Sequence, residues 1–214
     1  MRLTTLAATL VALAQVSAGC KGGGEAAVTV DTTQLAMFEP LPQVMEDSAN
    51  PITDAKTELG RSLYFETRLS AGRDISCNDC HDLSRYGADT GAVSEGHQGK
   101  LGSRNSPTVY NAAGHIAQFW DGRAPDVEAQ ALGPILNPVE MAMPAGPVVM
   151  GRLKADAEYR RMFAAAFPDE RDPMTYANLG RAIGAFVQAE AIETRTNTDD
   201  RTTRDDLRIG ILLE

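Results

Sequence analysis

Apolar residues recur at helical spacing in four stretches of the chain and alternate at strand spacing in none. Ile52, Leu59 and Leu63 predict a helix from Thr53, with Asp54 in its first turn, where an acidic side chain suits the helix dipole. Residues 126–132 predict a short helix, and Pro134, Pro138, Pro144 and Pro147 break up the next segment. Val149, Leu153, Met162 and Phe163 give a 3.6-residue pattern over 148–167. Leu179, Ile183, Phe186 and Val187 give another over 176–188. The predicted class is mostly α-helical with long loops.

Between these stretches the chain turns polar. Residues 82–111 are rich in Gly, Ser, Asp and Asn and predict a long loop, a length that in a compact domain signals function or disorder. Residues 25–50 lack periodicity and carry Pro40, Pro42 and the Asn50-Pro51 step, which predicts an extended lead-in. Beyond Gln188 the apolar pattern stops, and 194–206 is dominated by Thr, Arg and Asp. The divisions expected are an export signal at 1–19, a linker and lead-in at 20–50, a domain at 51–190 and an atypical polar tail at 191–214 that suggests truncation or a frameshift.

Composition narrows the chemistry. A chain of 214 residues with 43% hydrophobic content can fill an ordinary core. The formal charge of −9 argues against nucleic acid as a partner and suits a basic soluble redox protein. Met1-Arg2 followed by an apolar run to Val16 reads as an export signal, too short to span a membrane. The run ends Val16-Ser17-Ala18-Gly19-Cys20. Val16 and Ala18 suit an ordinary signal peptidase, whereas Ala18-Gly19-Cys20 resembles a lipobox in which Cys20 is lipidated. Both readings place the protein outside the cytoplasm, in the periplasm or anchored to a membrane by lipid.

The sharpest signal is Cys77-Asn78-Asp79-Cys80-His81, a C-x-x-C-H pentapeptide. Two thiols at this spacing can each add across a haem vinyl group, and the adjacent histidine then falls beneath the iron as its proximal ligand. A closed zinc site needs four ligands, and the sequence has only three cysteines. A thioredoxin-like dithiol needs a βαβ setting, which the pattern does not give. Covalent haem c, one in this chain, is the expectation. Opposite His81 the candidate ligands are His97, His115 and several methionines, among them Met141 and Met143. His97 lies in a flexible Ser94–Gly99 loop, able to swing on or off an iron.

Further motifs fall in a fixed order. Leu59-Gly60-Arg61, Leu63-Tyr64-Phe65, Arg68-Leu69-Ser70 and the pentapeptide come first, then Arg104-Asn105-Ser106-Pro107-Thr108. Gln118-Phe119-Trp120-Asp121-Gly122-Arg123-Ala124, Gln130-Ala131, Gly133-Pro134, Asn137-Pro138 and Glu140-Met141 come after them. Over residues 35–187 this resembles the N-terminal, peroxidatic half of the bacterial di-haem cytochrome c peroxidases and their MauG-type relatives, and implies a cytochrome c-like helical fold.

The resemblance implies roles. His81 is the proximal ligand of the peroxidatic haem, and His97 the distal ligand that leaves the iron on activation. Glu140 is the acid–base carboxylate for hydrogen peroxide, Gln130 lines the same pocket and Trp120 lies between two haems as an electron bridge. Asn105 contributes one ligand to a calcium ion between two domains. The implied partners are hydrogen peroxide and a small donor such as cytochrome c, and a homodimer is allowed. Relatives continue into a second domain with its own C-x-x-C-H, which this chain does not show. Two other readings stand beside a peroxidase: a mono-haem electron carrier without turnover, and a MauG-like oxidase of a protein substrate.

Overall fold

The computed structural model describes residue 42 and residues 44–196, with side chains to residue 189. The export signal, Cys20 and the tail beyond residue 196 lie outside the described residues.

Helix α1, Asp54–Tyr64, opens where Thr53 accepts a hydrogen bond from the Lys56 N–H, with Asp54 in the first turn and Arg61 in the last. Both charges complement the helix dipole. Its buried face presents Leu59, Gly60, Leu63 and Tyr64 to α6, Tyr176–Thr196. A side chain at Gly60 is excluded, since a Cβ there would lie 1.9 Å from the Ala182 carbonyl oxygen. Leu179, Ala182, Ile183 and Phe186 of α6 are buried against this face, and the Phe186 ring lies 5.3 Å from that of Tyr64.

A one-turn helix, α2, spans Cys77–Cys80, and α3 spans Val127–Leu136. Asp126 caps α3 by accepting from the Ala129 N–H. The helix runs past Pro134, where the sequence pattern predicts a break. A proline lacks one backbone donor, so a helix can resume beyond it.

The pattern over 148–167 is two helices, α4 Gly146–Lys154 and α5 Ala157–Ala166. Asp156 caps α5 by accepting from the Glu158 N–H and also takes Arg68 in an ion pair of 2.9 Å. The periodicity crosses this break because Val149 and Leu153 of α4 face the same core as Met162 and Phe163 of α5. At the other end, α6 continues to Thr196 although apolar spacing stops near Gln188. Glu190, Ala191 and Glu193 are strong helix formers by intrinsic propensity.

Among the described residues no strand forms, only isolated bridges at Asp82–Ala88, Glu95–Leu101 and Gln118–Ala124. The long loop over 82–111 is therefore irregular chain, mostly exposed or half-buried, with Leu83 and Val109 packed against the core and the short turns Leu83–Arg85 and His97–Gly99 within it. No described helix is long and apolar enough to cross a membrane.

Candidate haem centre

Helix α2 is short, and its side chains fix it in place. The Asp79 carboxylate accepts from the Ser76 N–H at 2.8 Å and from its hydroxyl at 2.5 Å, while the His81 N–H returns to the Cys77 carbonyl at 2.9 Å. One turn separates Cys77 from Cys80, so both thiols reach a shared cavity of about 490 Å³. Burial, with the neighbouring Cys80 adding to it, pushes Cys77 up to about 12. Burial and nearby acids push Cys80 up to about 11. Both are neutral thiols at ordinary pH, the form that carries the hydrogen a vinyl addition consumes.

His81 is fixed in one tautomer. Its Nδ1 lies 2.9 Å from the Pro107 carbonyl oxygen, which can only accept, so Nδ1 carries the proton and Nε2 keeps its lone pair. Burial pushes the imidazole pKa down, partly opposed by the Pro107 and Gly87 carbonyls. The residue's own carbonyl takes the Tyr64 hydroxyl at 2.5 Å. Ring orientation, tautomer and charge state all suit a metal ligand.

Ile75, Val109, Ala112, Val127, Ala131, Ile183 and Val187 give the cavity apolar walls. Two thiols, a neutral imidazole and walls of this kind fit a c-type haem: Cys77 and Cys80 would hold it covalently, and His81 would ligate its iron.

Polar and charged side chains line the rest of the wall, Glu140, Gln130 and Arg123 among them. Glu140 lines the cavity, and its carboxylate has no hydrogen-bond partner among the described residues. Burial raises its pKa, against the pull of the Arg123 charge. Arg123 lies over the Phe119 ring at 3.4 Å and pairs with Asp121 at 2.8 Å, so it is held at the same rim. Gln130 lines the wall from α3, its side-chain amide also unpaired among the described residues. Trp120 lines the rim, 64% exposed, with its indole N–H donating to the Asn105 carbonyl at 2.9 Å. Met141 reaches the cavity, while Met143 is buried elsewhere in the core. His115 is exposed and bonds through its backbone to Ala112.

His97 stands apart from the cavity lining, although Ser94 and Leu101 on either side of it contribute. Its Nδ1 lies 2.9 Å from the Asp74 carboxylate, and its backbone N–H donates to the Glu140 carbonyl at 2.7 Å. Partial desolvation pushes the Asp74 carboxyl up, but the bonds from His97 and Ser70 outweigh it and hold it below the usual range.

Asn105 donates its amide to the Asp89 and Gly91 carbonyls, at 3.1 and 2.7 Å, which leaves its side-chain oxygen as one free oxygen ligand. Calcium takes about six to eight oxygens, and no group of acidic or histidine side chains among the described residues could hold a metal. These residues alone do not make a calcium cage.

Sequence reasoning gave no role to Asp74, Tyr64, Arg123 or Pro107. The last three stand inside the motifs already noted; Asp74, in a loop of small and charged residues, carries no local signal. Backbone strain supplies another mark. Gln98, Phe119 and Ala142 adopt positive φ of 60°, 63° and 58°, one in each segment that carries His97, Trp120 and Glu140.

A domain helical and strand-free among the described residues, whose C-x-x-C-H turn opens on a cavity with apolar walls, is a c-type haem domain of cytochrome c-like fold. Comparison with known proteins makes this specific: a model of the di-haem cytochrome c peroxidases matches residues 54–206, and the chain belongs to that family. The match extends past the point where the apolar pattern fades. Cytochrome c551 peroxidase of Pseudomonas aeruginosa is 45% identical over 71% of this chain and 44% of its own length. The methylamine utilization protein MauG of Paracoccus denitrificans is 41% identical over 62% of this chain and 39% of its own. A crystal structure of a MauG-like protein associated with microbial copper homeostasis superposes with a TM-score of 0.65 at 33% identity, over 71% of this chain and 45% of that one. The chain spans a little under half the length of these relatives.

Proposed function

We propose that this chain is the peroxidatic domain of a di-haem-type peroxidase, reducing hydrogen peroxide with electrons from a small redox protein such as cytochrome c. The observation that carries the reading is Glu140: a half-buried carboxylate on the cavity wall, unpaired among the described residues, with its pKa raised by burial. A carboxylate tied up in an ion pair would exchange protons poorly. One whose pKa burial raises, with room beside it, is suited to general acid–base work.

A bound haem supplies the redox-active iron. Around it the protein moves protons and holds the substrate. The Glu140 carboxylate accepts a proton from one peroxide oxygen and returns it to the other as the O–O bond breaks. The Gln130 amide lies on the same wall to orient the peroxide. With two protons and two electrons from outside, one peroxide gives two waters. Trp120, anchored by Asn105 at the exposed rim, offers an aromatic route for electrons entering the cavity. Calcium, if held, takes the Asn105 side-chain oxygen and needs further ligands from elsewhere. The sequence supports a periplasmic location, with Cys20 as the lipid attachment point.

The test is peroxide-dependent oxidation of reduced cytochrome c by the haem-loaded chain. Turnover that disappears in Glu140→Ala, with the haem spectrum retained, supports the reading; a spectrally intact wild-type protein without turnover supports the mono-haem carrier instead. The MauG-like alternative, oxidation of a protein substrate, is favoured by the exposure of Trp120 and the similarity to MauG. It predicts peroxide consumption that depends on a protein substrate and needs no cytochrome.

A further inference from the structure

We propose that Asp74 is a positioning residue: it seats the His97 imidazole away from the cavity and thereby keeps the iron position opposite His81 open to peroxide. This rests on the reading of His97 as the ligand that opposes His81.

The seat is shaped on every side. Both Asp74 oxygens lie close to His97 Nδ1, at 2.9 and 3.2 Å, and the His97 side chain is only 12% exposed. Gly72 forms the floor, since a Cβ there would meet the ring carbon Cε1 at 2.7 Å. Asp74 is itself held. The fully buried Ser70 places its hydroxyl 3.0 Å from Asp74 Oδ1 and accepts from the backbone N–H groups of Asp74 and Ile75.

The loop beneath is fastened in turn. The Arg152 guanidinium donates to the carbonyls of Arg68, Ser70 and Ala71, at 2.9, 2.5 and 3.2 Å. The Ala71 N–H donates to the Met141 carbonyl at 2.7 Å. A carboxylate on so rigid a platform loses little entropy when it takes the imidazole.

The segment it restrains is a single short turn, His97–Gly99, with left-handed residues at Gln98 and Gly99, closed by the Glu95–Leu101 bridge. The imidazole can occupy the seat or the cavity, not both, because in the seat it does not line the cavity. Whatever stabilises the seat shifts the population away from the iron.

The experiment uses the full chain with haem attached and reads the ratio of six-coordinate low-spin to five-coordinate high-spin haem by absorption and electron paramagnetic resonance. Asp74→Ala should raise that ratio about threefold to tenfold, the range for losing one partly exposed, charge-assisted hydrogen bond. Asp74→Asn, which keeps an acceptor oxygen, should fall between. Gly72→Ala would put a Cβ 2.6 Å from Asp74 Oδ2 and 2.7 Å from His97 Cε1, so it crowds carboxylate and ring together and should move the ratio the same way. An unchanged or lowered ratio in Asp74→Ala and Gly72→Ala overturns the proposal, a fall meaning that Asp74 supports the iron-bound state instead. His97→Ala separates the two layers. If the low-spin species survives it, the ligand reading of His97 fails and the seat with it. If it vanishes while Asp74→Ala changes nothing, only the seat fails.

Discussion

The backbone N–H of His97 donates to the carbonyl of Glu140 at 2.7 Å, so the segment carrying the histidine and the one carrying the cavity carboxylate share a hydrogen bond. Gly96 permits the approach: a Cβ there would lie 2.1 Å from the Val139 carbonyl oxygen and 2.8 Å from Glu140 Cα. Gly96→Ala must push the two segments apart. We expect a loss of about 1–3 kcal/mol, typical of overpacking a tight contact, together with reduced peroxide turnover. Denaturant unfolding and steady-state assays of the same preparation check both.

Glu140→Gln removes the proton shuttle but keeps the shape. Turnover should fall about a hundredfold to ten-thousandfold with the haem spectrum unchanged. The stability effect has a definite sign. Burial raises the folded-state pKa above the unfolded one, so the carboxyl is tolerated below its ordinary value and becomes costly as pH rises through the raised value. The Gln variant should therefore gain thermal stability over wild type at pH 8 and gain little or none at pH 4. Melting curves at the two pH values decide it; an equal gain at both would mean the carboxylate carries no burial penalty.

Tyr64→Phe deletes only the hydroxyl that donates to the His81 carbonyl. The ring stays packed on Phe186, so the cost should be about 1 kcal/mol, well below a cavity-forming change. A loss above about 3 kcal/mol in urea unfolding would show that the ring packing had failed as well.

Ala142 holds a φ of 58° just beyond Glu140 and Met141. A left-handed alanine costs about 1–2 kcal/mol, while glycine brings about 0.5–1 kcal/mol of extra unfolded-state entropy. Ala142→Gly should thus stabilise the protein by roughly 1 kcal/mol or less. Destabilisation would mean that the alanine methyl contributes packing that outweighs its strain.

Much of the haem centre is legible in the sequence. C-x-x-C-H and the helical spacing are local signals, and Cys77, Cys80 and His81 fall together on one cavity as that spacing requires. The helix boundaries near residues 136, 155 and 196 are less legible. They depend on a proline that lacks one backbone donor, a capping Asp156 shared with Arg68, and a run of good helix formers beyond Gln188. Glu140 and Gln130 are assigned by resemblance, while the unpaired state of their side chains is visible only in three dimensions. Asp74 is illegible because it meets His97 across two loops distant in sequence, and a lone aspartate beside Gly72 and Arg73 reads as a solvated turn.

Arg152 sits in α4, a helix that contributes nothing to the cavity wall, yet three carbonyls of the loop under Asp74 converge on its guanidinium. Those oxygens would repel one another if the cation were removed. The address of His97 is therefore written in a remote helix, and a disturbance there should surface as a colour change at the haem before it surfaces as unfolding.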